Sequence, residues 1–260
     1  MRRDWVAGMV ALLVSATAAA QSPPALRGGM IELSGFAHRV TNDFGNWRGG
    51  RIRAVVPSGA TVVYLEAVAQ SAFRDDGQYG SAALQHGFGE AWIGFVAVGG
   101  GTGEFFWPEL RVDASLARKL LPSRRLVMTV GGTWVRSKEV YRDRAATASL
   151  AAYLGSTAVL EVGGRFNWST PGEVTSQRGH LALTLGRPGQ RYLVLRGAAG
   201  SEAYQLTGSG ATEQQFNSTE ASVSWREWLG RRFGIVVGGE WYDNPFYTRT
   251  GVQLGLFAGW

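Results

Sequence analysis

In the segment LRVDASL, Leu110, Val112, Ala114 and Leu116 share one side of an extended chain, and Arg111, Asp113 and Ser115 share the other. A period of two is the mark of a β-strand, whose successive side chains point to opposite faces. The pattern recurs throughout. AVLEVGGRFNW sets Leu160, Val162, Phe166 and Trp168 against Glu161, Arg165 and Asn167. RGHLALTL sets Leu181, Leu183 and Leu185 against Arg178, His180 and Thr184, and GRIRAVV sets Ile52, Ala54 and Val56 against Arg51 and Arg53. At the end of the chain, Val252, Leu254, Leu256, Ala258 and Trp260 oppose Gly251, Gln253, Gly255, Phe257 and Gly259. No long stretch carries a helical period.

The alternating runs place strands at 30–39, 50–56, 61–73, 79–85, 91–99, 110–116, 126–135, 145–153, 158–168, 178–185, 192–203, 216–225, 233–241 and 249–260. That is about fourteen, with about twelve as the alternative. The connections alternate in character. PSGA (57–60), LPSRR (121–125), GST (155–157), RPGQ (187–190) and WLGRR (228–232) are tight. Between them come richer links: TNDFGN (41–46), RDDGQ (74–78), GGTGEFFWPE (100–109), RSKEVYRD (136–143), STPGEVTSQ (169–177), QLTGSGATEQQ (205–215) and YDNPFYT (242–248). Short turns at one end and long loops at the other describe an outer-membrane barrel, with the short turns periplasmic. An even strand count then puts both termini on the periplasmic side.

Alternation alone also fits a soluble barrel or sandwich turned the other way, with the apolar faces meeting in a core. Three features favour lipid. The apolar faces carry many Gly and Ala, a thin filling for a core but sufficient against hydrocarbon. Trp47, Trp134, Tyr153, Trp168, Tyr192, Trp225 and Trp241 gather at strand ends, where interfacial girdles need an amphipathic ring. The last strand runs Gln253, Gly255, Ala258, Trp260: polar, glycine, apolar, terminal aromatic. The outer-membrane assembly machinery reads that order, although Ala258 is a small occupant of its hydrophobic slot. Backbone groups in lipid find no water, so such strands must close into a ring. The expectation is an all-β fold, a transmembrane antiparallel up-and-down β-barrel.

The first residues, MRRDWVAGMVALLVSATAAAQS, have the anatomy of a secretory signal: Arg2 and Arg3, an apolar run from Val6 to Val14, and a small-residue site at Ala18-Ala19-Ala20. Residues 1–20 are read as a cleaved signal peptide and 21–260 as one barrel domain. An uncleaved anchor is the alternative, but the apolar run is short for a span. The paired arginines also suggest a twin-arginine signal. Beyond Gln21 no stretch nears the roughly 18 apolar residues of a transmembrane helix. Glycine (37) and tryptophan (10) are abundant and proline (8) is sparse, a β-protein composition. With no cysteine, neither a disulfide framework nor a thiolate metal site can form. The formal charge of +6 is carried by arginine, since Lys119 and Lys138 are the only lysines. The arginines are scattered singly, which argues against nucleic acid as a partner.

The stretches NDFGNWRGGRI (42–52), FFWPE (105–109), RFNWSTPGE (165–173), LRGAAGSE (195–202) and YTRTGVQLGL (247–256) carry a family likeness. On them the chain resembles the YaiO-like outer-membrane β-barrels over nearly all of its mature length. It departs from the family where an Arg-Phe pair is expected after the third strand and Phe73-Arg74 stands instead. The resemblance implies a single barrel in the outer membrane of a Gram-negative bacterium, with no established reaction. It also implies a link to envelope polysaccharide machinery, which some relatives share.

Candidate chemistry is sparse. His38 and His180 are expected on the polar face, with Asp43 and Ser176 respectively near in sequence, but His180 has no serine at i+2 and no glycine elbow. No histidine pair has ligand spacing, so no metal and no cofactor are expected. Asp75-Asp76 reads as a solvated turn, with calcium a remote option. GGGTG (99–103) lacks the helix and Gly-Lys-Ser ending of a phosphate loop and reads as a flexible extracellular loop.

The lumen is the better site. Inward candidates are Glu32, Arg51, Arg53, Glu66, Arg111, Asp113, Glu161, Arg165, Arg178, His180, Arg196, Glu202 and Glu220. They either pair across strands as a plug or form an arginine-biased path for an anionic solute or polysaccharide. The reading is a non-enzymatic surface or transport barrel, whose partners are outer-membrane lipid, lipopolysaccharide and the assembly machinery. The rivals are an outer-membrane hydrolase with a rim site near His180 or His38, and a soluble periplasmic binding barrel.

Overall fold

The computed structural model describes residues 28–103, 107–138, 140–205 and 213–260. The proposed signal peptide and the first residues of FFWPE lie outside the described residues. Fourteen antiparallel strands run in chain order: β1 (Met30–Val40), β2 (Trp47–Ser58), β3 (Thr61–Ala72), β4 (Asp75–Phe88), β5 (Trp92–Gly101), β6 (Leu110–Leu120) and β7 (Leu126–Arg136). Then follow β8 (Arg142–Leu154), β9 (Ala158–Thr170), β10 (Val174–Arg187), β11 (Arg191–Gln205), β12 (Glu213–Trp228), β13 (Phe233–Asp243) and β14 (Thr248–Gly259). Each pairs with its neighbours in sequence, and β1 pairs with β14 from Met30↔Gly259 to Val40↔Arg249, closing the barrel. Strands about 4.8 Å apart and tilted about 40° give a ring of this count a backbone radius of roughly 14 Å.

The barrel is inside out by the standards of a soluble protein. Leu33, Val252, Leu254 and Leu256 point outward and are 60–66% exposed, whereas Glu161 points inward and is 1% exposed. A soluble binding barrel would bury those leucines, so that rival reading is set aside. Outward Trp134, Trp168 and Trp241 form a belt near one rim, and Trp92, Trp225, Phe233 and Trp260 form a second near the termini. Such rings suit the boundary between hydrocarbon and water.

Three of the aromatics expected in the girdles face the other way. Trp47 is buried inside the barrel, and Tyr153 and Tyr192 also occupy inner positions. The reason is parity: Trp47 lies an even number of residues from Arg51, as Tyr153 does from Ser149 and Tyr192 from Arg196. Position at a strand end brings a ring to the right height but not to the right face.

The outer loops are also shorter than expected. β3 and β4 are joined by Phe73 and Arg74 alone, both at positive φ (55° and 63°), a tight turn and not the link 74–78. The link 169–177 is mostly strand, since β9 and β10 meet across 171–173, and β12 begins at Glu213, while residues 206–212 of the link 205–215 lie outside the described residues. Above the membrane both faces of a strand meet water, so the apolar alternation fades while the backbone ladder continues. GGGTG is likewise partly strand: Gly99–Gly101 finish β5, and a Cβ on Gly99 would lie 2.2 Å from the Tyr79 hydroxyl. Asp75 and Asp76 open β4.

Inner-facing apolar clusters occupy both ends. Val40, Trp47, Val68, Tyr79, Trp107, Tyr242 and Tyr247 pack at the outer rim, and Ile93, Ala117, Val127 and Ala151 pack at the terminal end. Between them the interior is polar. A charge placed on the lipid face should therefore cost far more than one in the lumen. Leu254→Arg is expected to destabilise the barrel by about 2–4 kcal/mol and Gln253→Arg by under about 1 kcal/mol, read from urea unfolding in lipid vesicles.

Candidate functional site

The inner positions of the strands carry a chain of charge networks. Near the termini, Arg226 reaches across the β1 seam to the carboxylate of Glu32, with its guanidinium 4.6 Å from the Phe257 ring. Arg53 meets Glu66 at 2.8 Å, and Arg51 approaches the same carboxylate at 3.7 Å. Glu161, the most deeply buried of the acids, lies 2.8 Å from His180 Nε2. Arg111 donates to both oxygens of Asp113 at 2.7 and 2.9 Å, and the Thr133 hydroxyl donates to that carboxylate at 2.8 Å. Arg165 donates to Asn167, Asn167 to the Ser169 hydroxyl, and Ser169 to Asp143, at 3.3, 2.9 and 2.5 Å.

Two networks tie the outer half together. Arg178 bridges Glu202 at 2.8 Å and Glu220 at 2.9 Å, linking β10 to β11 and β12. Glu202 also accepts hydrogen bonds from Ser218 and, at 3.4 Å, from Tyr242. Glu240 joins Arg249 at 3.0 Å and His38 at 3.2 Å, connecting β13, β14 and β1. The Arg249 guanidinium lies 4.4 Å from the Trp47 ring and 5.1 Å from that of Tyr242, which couples the polar interior to the aromatic cluster above it. Asn244 accepts from the amides of Phe246 and Tyr247 at 2.8 Å and pins the last outer turn.

Of the residues expected from sequence to face the lumen, Arg51, Arg53, Glu66, Arg111, Asp113, Glu161, Arg165, Arg178, His180, Arg196 and Glu202 occupy inner positions, as do Glu32, Glu220 and His38. The expected bias towards arginine is not there. Among the described residues eight arginines point inward (51, 53, 111, 165, 178, 196, 226, 249), and so do eight carboxylates (32, 66, 113, 143, 161, 202, 220, 240). Sequence reading missed Asp143, Arg226, Glu240 and Arg249, which parity could have supplied: Glu240 alternates with outward Val237, Gly239 and Trp241. His38 and His180 are each paired with a glutamate, and His86 Nδ1 lies 2.8 Å from the Thr61 hydroxyl. Among the described residues no group of three or more His, Asp or Glu is placed to hold a metal ion.

The networks border a hollow. A cavity of about 80 Å³ lies against β7 and β8, where Thr129, Thr133, Thr147 and Ser149 present short hydroxyl side chains. Arg111, Arg165, Arg178, Arg196 and His180 border it. That space takes several waters or one small polar group. Small residues on one wall and long cations around them create the room, because short side chains cannot reach the axis of a ring this wide.

A family model, the YaiO membrane beta barrel domain, matches residues 29–205. The chain belongs to the YaiO membrane β-barrel family. Solved structures of similar architecture are outer-membrane proteins. The chain is similar to the CymD monoaromatic hydrocarbon channel, with a TM-score of 0.63 at 7% identity over 100% of this chain and 95% of that one. It is similar to outer membrane protein Omp33 of Acinetobacter baumannii, with a TM-score of 0.55 at 10% identity over 90% and 99%. It is also similar to a bacterial polysaccharide outer membrane secretin, with a TM-score of 0.54 at 8% identity over 91% and 100%. No curated protein matches it. This YaiO-family barrel thus resides in the outer membrane.

Arg178 offers a test of the inner networks. Arg178→Ala strands two partly buried carboxylates and should cost about 1–3 kcal/mol, less than in a dry core because the lumen is wet. Adding Glu202→Gln and Glu220→Gln should recover most of that loss in urea unfolding of the reconstituted barrel.

Proposed function

We propose that this protein is a non-enzymatic transport barrel whose lumen passes a small hydroxylated solute, such as a saccharide unit. The observation that carries this reading is the hydroxyl-lined, arginine-bordered hollow in mid-lumen, lying below the aromatic cluster of the outer rim. A sugar ring has apolar C–H faces that pack on aromatic rings and hydroxyl edges that bond to guanidinium, hydroxyl and carboxylate groups. The interior supplies both kinds of partner in sequence, Trp47, Tyr242 and Tyr247 above and Thr133, Thr147 and Arg165 below. The balance of inner charge favours a neutral or weakly charged solute over a strongly anionic one. The family gives the membrane setting, and similarity to channel-forming barrels agrees with a conducting role.

The histidines support a structural role better than a hydrolytic one. Both rings are tied through Nε2 to a glutamate of another strand, at 2.8 Å in His180–Glu161 and 3.2 Å in His38–Glu240, so each serves as a cross-strand brace.

Planar-bilayer recording tests this. The barrel should conduct small ions weakly, with little selectivity between anions and cations. Millimolar oligosaccharide should block the current reversibly. Glu220→Gln should tilt selectivity towards anions, and Arg165→Ala should raise the conductance. Absence of current in both the wild type and Arg165→Ala would overturn the proposal in favour of a closed barrel.

A further inference from the structure

The lumen is neutral in total, so the surplus positive charge of the chain must lie elsewhere, and it lies at the terminal rim. Arg124 and Arg125 stand on the β6–β7 turn, Arg187 and Arg191 flank the β10–β11 turn, and Arg231 and Arg232 stand on the β12–β13 turn. All six are exposed. Arg118 and Lys119 close β6 just beside them. Among the described residues the acidic side chains of this rim are Glu90, which pairs with Arg124, and Glu227, which lies 3.7 Å from Arg191. Among the described residues no carboxylate pairs with Arg125, Arg187, Arg231 or Arg232. At the opposite rim, acids and bases are close to balanced: Arg39, Arg48, Arg74 and the bases of 136–144 face Asp43, Asp75, Asp76, Glu109, Glu173 and Asp243.

These cations stand at the level of the lipid surface. The outward belt of Trp92, Trp225, Phe233 and Trp260 runs immediately inside them, and the Arg118 guanidinium lies 5.0 Å from the Trp92 ring. The same turns expose Leu121 and Leu229. Arg231 and Arg232 also line a groove at the mouth of the lumen with inward Trp228 and Phe257, and outward Trp260 forms its lipid-side edge. A guanidinium beside an apolar ledge matches a phosphodiester headgroup with its acyl chains below, since the planar fork binds phosphate oxygens in pairs. A soluble acidic partner would need no apolar ledge beside the cations, whereas here Leu121 and Leu229 stand exposed on the same turns.

We propose that the terminal rim is a binding site for anionic phospholipid of the inner leaflet, which fixes the barrel's depth from the periplasmic side. The test uses the full barrel in phosphatidylcholine vesicles, with tryptophan quenching by brominated lipids. Brominated phosphatidylglycerol should bind about three- to tenfold more strongly than brominated phosphatidylcholine, a preference of the size that a few interfacial cations confer. Raising the salt should weaken the preference. In the variant Arg125→Gln, Arg187→Gln, Arg231→Gln, Arg232→Gln the ratio should fall close to one, with heat-modifiable gel mobility reporting that the barrel has folded. Equal binding of the two lipids by the wild type overturns the proposal and leaves the rim to an acidic soluble partner. A preference that persists unchanged in the folded variant, or one indifferent to salt in the wild type, also overturns it.

Discussion

A strand that crosses hydrocarbon has no water to satisfy its N–H and C=O groups, and everything else in this molecule follows from that requirement. An open sheet would leave two edges unpaired. Here β1 and β14 pair along their lengths, so the ring has no edge in the membrane. Closure then decides the side chains: one face of every strand meets lipid and must be apolar, and the other encloses a space too wide for aliphatic side chains to fill. Long polar residues that reach one another across neighbouring strands stabilise that space, which is why arginine and glutamate stand where a soluble protein would place leucine.

The interior is graded along the barrel axis. Aromatic and aliphatic clusters occupy its ends, and ion pairs occupy its middle. Arg249 links the two regimes, since it faces Glu240 on one side and lies near the rings of Trp47 and Tyr242 on the other. Arg178 has a comparable position among β10, β11 and β12. Residues that span several strands in this way stiffen the wall against ovalisation, and the hydroxyl-lined wall of β7 and β8 is left as the place where space remains.

Much of this was legible in the sequence because the alternation of a transmembrane strand is imposed twice, by lipid outside and by the polar lumen inside. Where both influences act, as in LRVDASL and RGHLALTL, boundaries and faces can be read directly. Where one is absent, reading falters. Beyond the outer membrane surface β9, β10 and β12 continue through residues polar on both sides, and these looked like loop. Trp47, Tyr153 and Tyr192 were placed by height without regard to parity. Asp143 and Arg249 sit near strand ends, where the alternation that marks the inner face is weakest, whereas the parity of outward Val237 and Trp241 could have placed Glu240. The cavity could not be read at all: it is a property of which strands of the closed ring carry short side chains together.

The central claim is that apolar faces meet lipid while polar faces enclose the lumen. The chain has no cysteine, so single cysteines can be placed along β14 without background. Labelling positions 252 to 257 of the reconstituted barrel with an environment-sensitive fluorophore should give blue-shifted, lipid-quenched signals at 252, 254 and 256. Positions 253, 255 and 257 should report a polar setting shielded from lipid quencher. Signals of reversed parity, or uniform along the strand, would contradict the account.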